Sequence, residues 1–386
     1  MTLDNATIGA RLQAARRALA LTQTEVGKQM RMATSTISEI EAGKRGVTGP
    51  ELHAFARLYH RPIAYFFEEE AQESPGFQFL FRSPDIESLN REAVVVFQQL
   101  TEDYALVESL VDAPPLPSPP DYSQFGFSSD RDAETLAEME RARLGLGEAP
   151  LLDLLNLLDS TVGVRTFLVP VDAQSWSGLV VRDKDGRPCI AVNSKEESYR
   201  RNFDLAHEYG HVLVHLARQG MPLARVDRAM EIVRNSADEH FANAFASAFL
   251  MPRRAVLAQL EQVLGSNSGT FTDYDLVHLA MQFGVSGQAM SSRLVSLRKL
   301  QRSAHQDYWK HRSFKDLAQA LGYEEAGDWS DKVTLPARFR YLAMKAYEDT
   351  RISFAKLAEL LREDYYELSR RLQRRGETEA EAGAVG

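Results

Sequence analysis

The sequence predicts a mostly α-helical protein in which an all-α domain comes first, an α+β domain with a small sheet follows, and a helical region ends the chain. Three observations support this. Amphipathic segments with helix-capping residues occupy positions 8–58, and short apolar runs of strand length cluster between 164 and 193. Longer apolar segments at helical spacing continue from 198 to 361. A length of 386 residues is typical of two or three domains.

The N-terminal segment has the pattern of consecutive short helices. A first helix is expected over 8–17, and a second begins near Thr22, whose side chain can form a capping box with Glu25. A third helix over 32–41 follows after a short turn and ends at Gly43. A fourth amphipathic helix carries Leu52, Phe55, Ala56 and Leu58.

This order resembles the helix-turn-helix domain of the XRE/Cro repressor family. The matching positions are Arg11-Leu12, Arg16, Leu21-Thr22-Gln23, Thr36-Ile37-Ser38, Ile40-Glu41 and Gly43-Lys44-Arg45. The resemblance implies that the helix over 32–41 enters the major groove of double-stranded DNA, and that the protein binds as a homodimer. Thr34, Ser35 and Thr36 are then expected to face bases. The residues expected to contact phosphates are Gln23, Ser38, Lys44 and Arg45.

Charge is distributed unevenly along the chain. Residues 1–67 contain nine Lys/Arg and five Asp/Glu, a net charge of +4, whereas the whole chain carries −9 and the remainder therefore −13. This asymmetry fits one DNA-binding end on an acidic body. The alternative is a helical domain that binds protein and no DNA. The expected recognition helix has no Lys or Arg of its own, which weakens the expected affinity.

The segment over 68–120 is expected to join two domains through a connecting helix near 86–111 and a stiff Pro-rich linker over 113–120. An α+β domain is expected over 121–300. Its predicted helices span 132–144 and 151–158, its predicted strands span 164–169, 178–181 and 188–193, and a hairpin turn is predicted at 183–186.

The most informative motif is His207-Glu208-Tyr209-Gly210-His211, an H-E-x-x-H sequence on a predicted helix. Histidines four residues apart lie on one helix face and can share one metal ion. The glutamate between them can act as a general base toward water at that metal. Zinc needs a third protein ligand, and Glu239, one turn before the apolar face of a second helix, is positioned to supply it.

These two segments resemble the ImmA/IrrE metallopeptidases. The family pattern F-x-x-A-H-E-x-G-H-x-x-x-H matches from Phe203 to His215, and E-x-x-A-x-x-F-A-x-x-x-L-M-P matches from Glu239 to Pro252. The resemblance implies a zincin-like metallopeptidase domain with a small sheet, in which His207, His211 and Glu239 hold Zn²⁺ and Glu208 is catalytic.

Two further histidines lie close to this motif in sequence. His215 lies one helical turn after His211 and is expected to hydrogen-bond to one of the metal-binding side chains. The alternative is that His215 itself binds the metal. His240 points about 100° away from Glu239 and is expected to have a structural or surface role.

The rest of the chain is less specific. The helices expected over 274–283 and 286–297 could form a winged-helix DNA contact, but the domain core is favoured. A C-terminal helical domain is expected over 301–375 and a disordered tail over 376–386. With Cys189 as its single cysteine, the chain excludes disulfides and Cys-ligated clusters. It shows no signal peptide or membrane span, so a cytoplasmic protein is expected.

Two classes of function remain open at this point. The first is a DNA-binding zinc endopeptidase of narrow specificity that cleaves a protein substrate, a repressor or other regulator. Its extended substrate would pair with the sheet edge near 190–193. The second is a transcriptional repressor whose metal domain is a non-catalytic sensor or dimerisation module. An antitoxin-like role fits either class. The intact Glu208 favours the first, because a structural metal site does not need it.

Overall fold

The computed structural model describes residues 4–67, 77, 90–126, 129–171, 176–216, 224–227, 237–265, 271–303, 314–323 and 332–373. Within these ranges the protein is mostly helical with one small sheet, which confirms the fold class that the sequence predicts. The predicted tail over 376–386 lies outside the described residues. Among the described helices, none is both long and apolar enough to cross a membrane.

Four short helices form the N-terminal unit: α1 (Asn5–Ala18), α2 (Gln23–Met30), α3 (Thr34–Glu41) and α4 (Gly49–Leu58). Thr22 forms the predicted capping box with Glu25 at the start of α2. Arg31 ends α2 in the left-handed region at φ 56°, and this turn leads the chain into α3. The apolar faces of the helices meet in one core that contains Leu12, Val26, Ile37, Ile40, Phe55 and Tyr59.

The sheet consists of β1 (Arg165–Val169), β2 (Gly178–Arg182), β3 (Pro188–Asn193) and β4 (Ala224–Asp227), in the order β1-β3-β2-β4. β2 and β3 form the predicted hairpin, with a turn that contains Gly186 at φ 78°. β3 runs parallel to β1 on its other side. The expectation that 190–193 lies at a sheet edge is therefore wrong, because the pairing with β1 makes β3 an interior strand.

Both faces of the sheet are covered by helices. One face, with Val180 and Ile190, packs against the motif helix α8 (Ser198–Val214), and α9 (Ala237–Leu250) packs against α8 in the same core. Residues of opposite orientation, such as Leu179 and Cys189, belong to a second core on the other face. β1, β2 and β3 are consequently buried on both sides, which explains why these three strands are continuous apolar runs in the sequence.

The predicted connecting helix is part of this second core. It is α5 (Arg91–Leu110), and its Phe97, Leu100 and Tyr104 are fully buried. The same core includes side chains of two C-terminal helices, α14 (Ala337–Glu348) and α15 (Phe354–Leu361). Arg61, just beyond α4, donates a 2.7 Å hydrogen bond to Gln98 of α5 and so fastens the N-terminal unit to the body.

The core on the α8 side of the sheet also contains helices that precede and follow the motif in sequence. Before the sheet lie α6 (Asp130–Arg143) and the single turn α7 (Leu154–Leu157), which continues as a wide π turn to Val162. The predicted helix over 151–158 therefore begins later than expected. After α9 come α10 (Arg253–Leu264), α11 (Asp273–Gln282), α12 (Gly287–Ser296) and α13 (Phe314–Ala320). Leu276, Leu279, Met290 and Leu294 are buried in this core, as the favoured interpretation of this pair predicts.

Candidate functional site

Asn193, the last residue of β3, stabilises the turn between this strand and the helix that carries the H-E-x-x-H motif. Its side-chain oxygen accepts hydrogen bonds from the backbone N–H groups of Val171 (3.1 Å) and Lys195 (3.0 Å). α8 then runs along the sheet, and its residues from Leu205 to Val214 are all buried. The motif is thus placed in the interior, between the sheet and α9.

α8 and α9 approach each other closely at Gly210. A Cβ atom at this position would lie 3.0 Å from the ring of Phe245 and 3.5 Å from the Cα atom of Ala242, both on α9. Glycine therefore leaves room for the second helix to pack against the motif. This contact brings the start of α9, with Glu239, next to the two histidines.

Three side chains converge at this junction. The Nε2 atoms of His207 and His211 are 3.0 Å apart. Glu239 places Oε2 at 3.3 Å from Nε2 of His207 and Oε1 at 3.6 Å from Nε2 of His211. These three residues form a group able to hold a metal ion. Both imidazoles are buried, and the Glu239 side chain is 16% exposed.

The spacing of these donor atoms fits zinc. Tetrahedral zinc with imidazole and carboxylate ligands at about 2.0–2.1 Å separates neighbouring ligand atoms by about 3.3–3.4 Å. The two imidazole nitrogens are 3.0 Å apart, Oε2 of Glu239 is 3.3 Å from one of them and Oε1 is 3.6 Å from the other, so the carboxylate lies within reach of an ion shared by both rings. Two imidazoles and one carboxylate also make up a known ligand set of catalytic zinc, which leaves a fourth position open.

Hydrogen bonds behind the histidines orient both rings. Nδ1 of His207 lies 3.1 Å from Oδ1 of Asn243, one turn after Glu239 on α9. Because an amide oxygen only accepts hydrogen bonds, Nδ1 of His207 carries the proton, and the lone pair of its Nε2 atom points toward Glu239. Sequence reasoning did not identify Asn243, although its spacing of four residues from Glu239 places it on the same helix face.

His215 lies behind His211 and outside the three-donor cluster. The Nδ1 atoms of the two rings are 2.7 Å apart, and Nε2 of His215 lies 3.3 Å from Oδ1 of Asp238. A proton on Nδ1 of His211 can be donated to His215, which leaves Nε2 of His211 free to act as a ligand. His240 is exposed and pairs with Asp130 at 2.6 Å, away from the cluster.

The carboxylate of Glu208 is buried over the first residue of β2. A Cβ atom at Gly178 would lie 1.9 Å from Oε1 of Glu208 and 2.7 Å from its Cδ atom. No side chain larger than hydrogen fits there unless the carboxylate moves. Gly178 was not identified from the sequence, because no local pattern links it to Glu208, 30 positions later.

The surface predicted to bind DNA is formed by α3 and the turn that follows it. Thr34, Ser35 and Ser38 are exposed and Thr36 is half-buried. Lys44 is exposed, whereas Arg45 pairs with Glu51 at 2.8 Å. The exposed residues of this set are accessible to a partner, and their contact with DNA remains a prediction.

Gln23 has a structural contact that the sequence did not predict. Its Nε2 atom donates a 2.9 Å hydrogen bond to Glu41, which also accepts two hydrogen bonds from Arg16, at 2.6 and 2.9 Å. Burial of Glu41 favours its neutral form, but the hydrogen bonds from Arg16 and Gln23 outweigh burial and lower its pKa. Gln23 thus helps to hold α1, α2 and α3 together.

Fold and site together define a helix-turn-helix domain joined to a metallopeptidase-like domain. Comparison with protein families agrees with both parts. Residues 7–64 match the family model of a helix-turn-helix domain, and residues 160–295 match that of the IrrE N-terminal-like domain of peptidase family M78. The chain is therefore a fusion of these two domains, which confirms the sequence-based identification. No curated protein matches the chain.

Proposed function

We propose that this protein is a DNA-binding transcription regulator and a zinc-dependent endopeptidase that cleaves a specific partner regulator. The observation that carries the proposal is the convergence of His207, His211 and Glu239, close enough to share one metal ion, with Glu208 buried beside them. The helix-turn-helix domain implies DNA binding, and a peptidase-like domain in the same chain suggests a protein substrate.

In this proposal Glu208 is the general base. Zinc, when bound by the two histidines and Glu239, supplies Lewis-acid polarisation of water and of the scissile carbonyl. Glu208 accepts the proton from the attacking water and then donates it to the nitrogen of the leaving amine. Gly178 leaves the space in which the carboxylate can face the reacting groups. Asn243 and His215 keep the ligand nitrogens aimed inward.

We propose that an extended substrate pairs with strand β4, because β3 is an interior strand. β4 is an end of the strand order and pairs with β2, whose first residue, Gly178, underlies Glu208. An extended peptide added to β4 would continue the sheet beside the cluster, with backbone hydrogen bonds supplying affinity.

We further propose that 1–67 is the DNA-binding domain, that it acts as a homodimer, and that Thr34, Ser35 and Thr36 face bases. Dimeric binding is supported by the weak half-site affinity expected of a recognition helix without Lys or Arg. We propose a peptidase domain over 121–300 and a helical domain over 301–375, the boundaries that the sequence predicts, with the addition that α5, α14 and α15 share one core with a face of the sheet.

The function is tested by mapping new protein N-termini in cells that contain the wild-type protein, Glu208→Gln or the control Glu261→Gln. Glu261 is exposed on α10, so the control makes the same chemical change away from the cluster. We expect one regulator to be cleaved with the wild type and the control, but not with Glu208→Gln. If no protein is cleaved and the wild type and both variants regulate the same genes, the metal domain acts as a non-catalytic sensor and the proposed proteolysis is wrong.

A further inference from the structure

The last three helices of the described chain repeat the backbone of α1, α2 and α3. α2 and α15 each have eight residues, begin after a Thr or Ser cap (Thr22, Ser353) and end at an arginine in the left-handed region. The two arginines, Arg31 and Arg362, both have φ 56°, with ψ 41° and 35°. In each case the next helix begins three residues later, as α3 in one unit and as α16 (365–373) in the other.

The hydrogen bonds of the two turns correspond as well. The N–H of Met32 donates to the carbonyl of Gly27 (2.8 Å), and the N–H of Glu363 donates to Ala358 (3.0 Å), at the same offset. Gly27 has no room even for a Cβ atom, which would lie 2.8 Å from the Met32 carbonyl oxygen. The C-terminal unit has Ala358 at this position, so the two helices differ there in how closely the turn approaches.

The buried positions repeat in the same register. Val26 of α2 corresponds to Leu357 of α15, and both are 0% exposed. Ile37 of α3 corresponds to Leu368 of α16, at 1% and 0%. The helix before each pair also ends alike, with a left-handed residue at Ala20 (φ 54°) and Thr350 (φ 57°). This is the backbone of a helix-turn-helix, which the chain also forms at α11 and α12, where Gly284 (φ 63°) is the left-handed residue and the next helix begins three residues later.

The exposed face of α16 carries cationic and hydrogen-bonding side chains of the kind that bind a DNA backbone. Tyr366 is 70% exposed, Arg370 is exposed, and the Arg371 side chain is 58% exposed. By contrast, α3 contains no Lys or Arg.

Two nearby acidic groups are already used within the unit. Glu363 pairs with Arg340 (2.9 Å) and Arg371 (2.6 Å). Asp364 accepts from the N–H groups of Tyr366 and Glu367 at the start of α16. Arg370 and the exposed part of Arg371 are the cationic groups that a phosphate backbone would meet on this face.

We propose that α14, α15 and α16 form a second DNA-binding unit, with α16 docked in the major groove of duplex DNA. Each chain then has two DNA-binding units, at opposite ends of its sequence. The proposal is independent of peptidase activity, because none of the residues involved belongs to the three-donor cluster.

The test measures how the affinity of the full-length protein for a random-sequence duplex depends on salt. The double variant Arg370→Ala, Arg371→Ala should flatten the slope of log K against log salt by about 1.8, since each phosphate contact contributes about 0.9. The matched control Arg253→Ala, Arg254→Ala removes two adjacent exposed arginines from α10 and should leave the slope unchanged. Replacing Arg370 and Arg371 by Lys should retain the slope.

Thermal unfolding of each variant is measured beside the slope, and we expect the fold to be kept. An unchanged slope in the Arg370→Ala, Arg371→Ala variant overturns the proposal. If that variant binds DNA normally but sediments as a smaller assembly, α16 is a protein interface and the DNA assignment is wrong. An equal flattening of the slope in the Arg253→Ala, Arg254→Ala control would show that removing any two surface arginines has this effect. That result would also overturn the proposal.

Discussion

Replacing Gly178 by Ala should separate catalysis from metal binding. The added methyl would lie 1.9 Å from Oε1 of Glu208, whereas an ordinary contact needs about 3.4 Å or more, so the carboxylate must move by about 1.5 Å. A misplacement of about 1 Å can cost about 100-fold in rate. We therefore expect at least about a 100-fold loss of cleavage rate. Zinc affinity should stay unchanged, because the donor atoms of His207, His211 and Glu239 are not displaced.

The assay is the cleavage rate of the partner regulator, measured beside zinc affinity and thermal unfolding. Gly49→Ala is the matched control, since a Cβ atom at Gly49 meets nothing within 4 Å. The methyl would also lie 2.8 Å from Cγ of Glu208, so the buried side chain must shift as a whole and some loss of stability is expected, which thermal unfolding measures. In a Glu208→Gln background, Gly178→Ala should cause no further loss. Full activity of Gly178→Ala, or losses that add in the double variant, would refute this role.

Three other predictions concern the metal ligands, the DNA surface and a buried acid. Glu239→Ala should weaken zinc binding by more than about 100-fold and His215→Ala by about 10- to 100-fold in zinc titrations; the reverse order would remove Glu239 from the ligand set. Replacing 34–36 together by Ala should relax sequence preference more than it weakens non-specific binding in mobility shifts; an unchanged preference would contradict the groove assignment. Burial raises the pKa of Asp159 to about 7, so the folded protein keeps a proton that the unfolded chain has lost. The free energy of unfolding should therefore fall from about pH 4 to about pH 7 relative to Asp159→Asn, and parallel urea midpoints for the two proteins would contradict this.

Local patterns predicted much of the fold. The capping box at Thr22 and Glu25, the hairpin turn, and the two helices of the metal cluster depend on residues close in sequence, and each was found where predicted. The convergence of Glu239 with the two histidines followed from helical spacing together with the family resemblance.

Long-range pairing explains what the sequence did not reveal. β3 was expected at an edge, but strand order depends on which strands meet, and the parallel pairing with β1 places β3 inside. α5 was predicted only as a connector ahead of the Pro-rich segment, although its apolar residues cover one sheet face. Gly178 and Asn243 act through side chains 30 or more positions away, and no local pattern marks such contacts.

The central claim is that Glu208 performs peptide hydrolysis at a metal held by its neighbours. The most direct measurement compares zinc content and cleavage of the purified partner regulator for the wild type and Glu208→Gln. The glutamine is nearly isosteric but cannot accept a proton. We expect both proteins to bind one zinc ion per chain and only the wild type to cleave. Undiminished cleavage by a zinc-loaded Glu208→Gln protein would contradict the claim.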